Sequence, residues 1–116
     1  MCGIVGITAN ESVSSNIIGA LKKLEYRGYD SAGIAINTES KIHQKKAKGK
    51  LDNLILSLQK DGFDGMAGIG HTRWATHGEP SERNAHPHSS QKVSLVHNGI
   101  IENASELKRR AELKNY

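Results

Sequence analysis

Cysteine occurs once in the 116 residues, at position 2. A single thiol excludes an internal disulfide framework and fits a reducing compartment. Aromatic residues make up only 4% of the chain, and no Phe, Trp or Tyr interrupts the lysine-rich stretch from Lys41 to Lys50. That stretch therefore lacks the stacking platforms of a single-strand nucleic-acid binder. No apolar run approaches the roughly 20 residues needed to cross a bilayer. The start of the chain lacks the basic segment of a secretory signal. These absences predict a cytoplasmic protein with no membrane and no nucleic-acid partner.

What is present bounds the size of the answer. A chain of 116 residues, 36% apolar with 12 glycines, allows one domain at most. A domain this short buries about two-thirds of its unfolded surface, so its stability is modest. The formal charge is +4. The excess comes largely from Lys41, Lys45, Lys46, Lys48 and Lys50, with Lys108, Arg109 and Arg110 near the end. Lysines in an extended stretch read as an edge strand protected from pairing with other chains.

The apolar pattern alternates strands and helices. Gly3 to Ala9 reads as a buried strand. Val13, Ile17, Ala20, Leu21 and Leu24 share one helical face, with Ser12 as the N-cap and Gly28 as a left-handed stop. Ala32, Ile34 and Ile36 alternate with Gly33 and Ala35, as in a strand with small residues on one face. A turn at 37–40 returns the chain through a lysine-rich strand, residues 41–47. Leu51, Leu54, Ile55 and Leu58 fall at i, i+3, i+4 and i+7, an amphipathic helix stopped at Gly62. Met66 to Thr72 is another strand, where Gly68 and Gly70 permit close approach of a second backbone. Residues 73–90 lack periodicity and read as a long functional loop. Val93 to Val96 form a short strand. A last helix, capped by Asn103 or Ser105, carries Leu107, Ala111 and Leu113, with Asn115 left-handed at its end. The hairpin argues against a purely parallel sheet, so the fold class is α+β in layers.

The chemistry concentrates at three places. Removal of Met1 would give Cys2 both a thiol and a free α-amine, with reference pKa values of about 8.5 and about 7.7–8.0. Such an amine accepts protons near neutral pH, and N-terminal nucleophiles use it as their own base. A lone cysteine opening a strand is otherwise a small apolar residue. Second, Asn98 and Gly99 can offer a side-chain NH2 and a backbone N–H to an oxyanion; losing one such donor costs roughly 3–4 kcal/mol. Asn-Gly after a strand is equally a hairpin turn, although Ile100 to Asn103 lead into a helix pattern. Third, Arg73, Trp74, Thr76 and His77 crowd a strand end. Arg73 has the planar fork that suits a carboxylate, and Thr76 and His77 can add hydrogen bonds. The plain alternative is a surface loop with Trp74 packed on the core. His71, His77, His86 and His88 lack metal-motif spacing, so no metal and no cofactor are expected. A Cys–His hydrolase using His71, His77 or His97 is possible by composition, but the α-amine is nearer to hand.

Four segments in order resemble a known family: Cys2-Gly3-Ile4-Val5-Gly6; Glu25-Tyr26-Arg27-Gly28-Tyr29-Asp30-Ser31-Ala32-Gly33; His71 to Pro80 continuing to Asn84-Ala85-His86-Pro87-His88; and Val96-His97-Asn98-Gly99-Ile100-Ile101-Glu102-Asn103. They resemble the N-terminal glutaminase domain of the glutamine–fructose-6-phosphate aminotransferases. These are class II glutamine amidotransferases of the N-terminal nucleophile hydrolase type. The resemblance spans the chain, so residues 1–116 are expected to be the N-terminal part of one glutaminase domain, without sugar isomerase domains. It implies an αββα sandwich, incomplete at the C-terminus. It implies that Met1 is removed, that Cys2 attacks the glutamine side-chain amide, and that Asn98 and Gly99 form the oxyanion hole. Arg73, Thr76 and His77 would hold glutamine, and Trp74 would gate ammonia on its way to fructose 6-phosphate, bound by the isomerase half. The chain stops before the family's acidic residue for the glutamine α-amine. Weak or absent activity is expected of it alone, with a complementing chain or a homo-oligomer as possible partners.

Overall fold

Four extended segments pair into one sheet: β1 (Gly3–Thr8), β2 (Ser31–Asn37), β3 (Ile42–Lys48) and β4 (Ala67–Arg73), in the order β1-β4-β2-β3. Every neighbouring pair is antiparallel. The computed structural model describes residues 1–76 and 78–115; the His77 expectation lies outside the described residues. Thr38 N–H and Oγ1–H both donate to the Lys41 carbonyl, at 3.0 and 2.9 Å, and so close the β2–β3 hairpin. β3 is a sheet edge and carries Lys45, Lys46 and Lys48, the placement that discourages pairing with another chain.

Two helices cover one face. α1 (Ser14–Leu24) packs on β1 and β4, and α2 (Leu51–Lys60) packs on β3 and β2. Val13, Ile17, Leu21, Ala32, Ile34, Ile36, Leu51 and Leu54 form the buried core between them. Each fully buried Ile or Leu contributes roughly 1.5–3 kcal/mol. Side chains alternate across a sheet, and β2 obeys this: Ala32, Ile34 and Ile36 face the helices, while a Cβ on Gly33 would strike the His86 carbonyl oxygen on the far side. Ala85 and Pro87 are buried there. A short ribbon, β5 (His88–Ser89) with β6 (Ser94–Leu95), forms a separate two-stranded sheet. A last helix, α3 (Ala104–Leu113), buries no residue. Mixed helix and antiparallel sheet in layers is the expected α+β class.

Several local expectations are corrected. Ser12 does not cap α1; the helix starts at Ser14, whose N–H donates to the Asp64 carboxylate at 3.1 Å. A side chain remote in sequence supplies the cap. Gly28 is not a left-handed stop. Its φ is 177°, an extended value, and its lack of Cβ is needed because the Arg73–Trp74 backbone lies against it. Gly70 makes room for side chains, not for a second backbone: a Cβ there would lie 2.6 Å from Ile17 and 3.0 Å from Leu21, whereas one at Gly68 would meet Ile36 and Ile17 and also lie 3.0 Å from the Ala35 carbonyl of the neighbouring strand. Asn115, by contrast, is left-handed as read, with φ 59°.

Candidate active site

Antiparallel pairing brings the start of β1 beside the end of β4. Gly3 stands opposite Thr72, so Cys2 lies beside the residues that follow, Arg73 and Trp74. The Trp74 N–H donates to Cys2 Sγ at 3.3 Å, and the thiol lies 3.8 Å from the Trp74 carbonyl oxygen. Cys2 is half-buried. Met1 precedes it and is 76% exposed.

Asn98 closes the other side. Its Nδ2–H donates to the Cys2 carbonyl at 3.0 Å, and its Oδ1 lies 2.9 Å from His71 Nε2. Gly99 follows with φ 146°, a value that favours glycine. β6 pairs back with β5, and among the described residues no strand follows Asn98–Gly99 before α3. The hairpin reading of Asn-Gly is therefore set aside.

Arg73 is 6% exposed. Its Nη1–H donates to the Glu79 carbonyl at 3.1 Å, and its Nη2–H to the Gly78 carbonyl at 3.0 Å. Asp30 lies 3.9 Å away as counter-charge. Asn84 Nδ2–H also donates to the Glu79 carbonyl, at 3.0 Å. The buried guanidinium thus organises the loop after β4. Trp74 is 46% exposed, so the packed-on-the-core reading fails; its ring meets Tyr29 edge-on at 5.8 Å. Thr76 is exposed. A cavity of about 160 Å³ lies among Tyr29, Asp30, Trp74, Ala75 and Pro80. A larger concavity, about 670 Å³, opens at the other end of the sheet, and none of the candidate site residues lines it.

Behind Asn98 lie histidines whose arrangement was not read from the sequence. His71 and His86 stack at 4.3 Å, and His86 meets His88 at 4.4 Å. Burial holds His71 below its ordinary value, partly offset by hydrogen bonding to Asn98 and to the His97 backbone. Burial, then the neighbouring His71 and His88, pushes His86 down to about 4. Burial and then Lys46 and Arg73 lower His88. The signal available in the sequence was alternation: His71 and Arg73 fall on the same face of β4. His71 bonds Asn98 rather than Cys2, so it is not paired with the thiol as a base; His77, another candidate, lies outside the described residues. Among the described residues no group of His, Cys, Asp and Glu side chains is placed to hold a metal ion.

No protein-family model matches the chain. Curated proteins do. The chain is 57% identical over 108 residues to glutamine–fructose-6-phosphate aminotransferase [isomerizing] of Rhizobium meliloti, covering 93% of this chain and 18% of that protein. It is 56% identical over 115 residues to the protein of the same name from Gluconobacter oxydans, covering 98% and 19%. The chain belongs to the glutamine–fructose-6-phosphate aminotransferase family. It matches the N-terminal part of these aminotransferases and spans about a fifth of their length. The solved structure of glutamine phosphoribosylpyrophosphate amidotransferase from B. subtilis, complexed with ADP and GMP, superposes with a TM-score of 0.82 at 27% identity, covering all of this chain and 26% of that one. The chain therefore shares, over its whole length, the fold of part of that amidotransferase.

Proposed function

We propose that residues 1–116 are the N-terminal part of a glutaminase domain that hydrolyses glutamine through Cys2. The observation that carries this reading is the Asn98 amide, anchored to the Cys2 carbonyl at 3.0 Å beside Gly99 with φ 146°. On this reading a second Asn98 N–H and the Gly99 N–H would serve the oxyanion formed at Cys2. With Met1 removed, the Cys2 α-amine takes the thiol proton, and sulfur attacks the glutamine side-chain carbonyl carbon. The oxyanion draws on the two donors, which act in a site where they need no reorganisation. The amine returns its proton to the leaving nitrogen, the C–N bond breaks, and ammonia departs. Water then cleaves the γ-glutamyl thioester, giving glutamate and the free thiol.

Arg73 would hold the glutamine α-carboxylate, with Thr76 and His77 assisting, and Trp74 would gate the ammonia. In the full-length protein that ammonia would go to fructose 6-phosphate, making glucosamine 6-phosphate. No helix among the described residues is long and apolar enough to cross a membrane, which is compatible with a cytoplasmic enzyme. A complementing chain or a second copy could complete the pocket.

A second reading, a remnant without a working pocket, draws on Arg73. Its guanidinium is engaged by the carbonyls of Gly78 and Glu79, so carboxylate capture requires that loop to yield. Cys2→Ala separates the two readings. Glutamine hydrolysis that disappears in Cys2→Ala, with the far-UV spectrum unchanged, supports the enzyme. Activity equal to that of the parent chain refutes it.

A further inference from the structure

We propose that His71 is a positioning residue for Asn98, holding its amide in the one orientation that turns the NH2 group toward Cys2. The inference rests on the oxyanion-hole reading of Asn98 and deepens it.

The hydrogen bonds decide the orientation. The Cys2 carbonyl can only accept, so the Asn98 atom 3.0 Å from it is the NH2 nitrogen. The Asn98 oxygen then faces His71 Nε2 at 2.9 Å. A carboxamide oxygen can only accept, so His71 must donate from Nε2. Its other nitrogen, Nδ1, is buried without a partner. An unprotonated Nδ1 suits that position, because a buried N–H with no acceptor is costly. The ring is thus neutral, with its hydrogen on Nε2.

The neighbours hold this state. His86 stacks on His71 at 4.3 Å with the rings 20° from parallel, so a charge on one disfavours a charge on the other. The His97 N–H donates to His86 Nδ1 at 3.3 Å, which requires that nitrogen to be unprotonated. Gly33, opposite His71 in the sheet, lets the His86 backbone approach. Arg73 adds positive charge nearby, as His88 does when protonated, and His71 sits below its ordinary pKa.

Asn98 needs such a tether. It is exposed and stands in an irregular segment between β6 and α3. Rotating its amide by half a turn would set oxygen against the Cys2 carbonyl and present an acceptor to the oxyanion. His71 lies fully buried on β4 and penalises that rotation.

The test is nitrogen-15 NMR of the Met1-free chain, with the histidine rings and Asn98 assigned, in the parent, His71→Gln and His71→Leu. The expected parent has neutral His71 with hydrogen on Nε2 at pH 7, and an Asn98 NH2 whose exchange with water is slowed by about tenfold or more. His71→Gln, which keeps a donor at that reach, retains the protection; His71→Leu loses it. Hydrogen on Nδ1, a charged His71, or an Asn98 amide indifferent to His71→Leu overturns the proposal. If His71→Leu is unfolded, the parent tautomer and His71→Gln decide. Kinetics of the full-length protein add a second arm: His71→Leu is expected to lower kcat by about 100-fold with KM little changed, the scale of a lost oxyanion donor. Asn98→Ala run in parallel separates the failures. Full activity in Asn98→Ala ends the oxyanion reading. Activity lost in Asn98→Ala but kept in His71→Leu ends only the positioning role.

Discussion

Gly28 sets the distance between Cys2 and its neighbours at the scale of single residues. A methyl group at 28 would overlap the Arg73 carbonyl and lie 2.7 Å from the Trp74 nitrogen, the atom that donates to Cys2 Sγ. Gly28→Ala is expected to destabilise the fold by roughly 1–3 kcal/mol, read as a lower denaturation midpoint; an unchanged midpoint would show the contact to be slack. The histidine stack gives a second expectation. His86 titrates at about 4 in the fold against 6.5 as its ordinary value, and His71 and His88 shift in the same direction. Between those values the unfolded chain binds more protons, so stability rises with pH from about 4 to 6.5 and is lost on acidification through that window. Tm should fall from pH 7 to pH 4.5, and less steeply in His86→Gln; a Tm that rises on acidification would contradict this. Cys2 and Asn98, singled out for the chemistry of their own side chains, do lie together in the fold. Gly28 was misread because its constraint comes from a backbone remote in sequence, and the pairing of His71 with Asn98 was hidden for the same reason.

Periodicity served well for whole elements. The heptad-like spacing of Leu51, Leu54, Ile55 and Leu58 gave α2, and the small–large alternation of β2 gave both of its faces, because each pattern is a local projection of burial. Strand order and caps depend on distant partners and were not visible. Asp64 caps α1 at Ser14, and Glu25 Oε2 accepts from the Leu51 N–H at the start of α2, at 2.7 Å. The same limit explains Gly70, whose missing side chain admits Ile17 and Leu21 of α1. Gly70→Val is expected to lift α1 from the sheet at a cost of roughly 1–3 kcal/mol or more. Thermal unfolding checks it, and a Tm within a degree of the parent would show that α1 does not depend on that groove. The last helix formed where Leu107, Ala111 and Leu113 predicted it, yet Leu107 and Leu113 stay exposed; pattern predicts a face, not its cover.

The whole molecule divides into a packed helix-and-sheet half and a sheet face only partly covered. Ile4, Val93, Leu95, Ile100 and Ile101 are all exposed, and the chain spans about a fifth of the aminotransferases it matches. The candidate site lies within the described sheet end, built from β1, β4 and the segment after β6, so the proposed nucleophile and oxyanion donors come from one chain. That is the central claim, and intact mass tests it most directly. The purified chain is weighed before and after exposure to an electrophilic glutamine analogue, with and without excess glutamine. The account predicts loss of Met1 and one adduct per chain, suppressed by glutamine and absent in Cys2→Ala. A Met1-free, folded chain that takes up no adduct would contradict it.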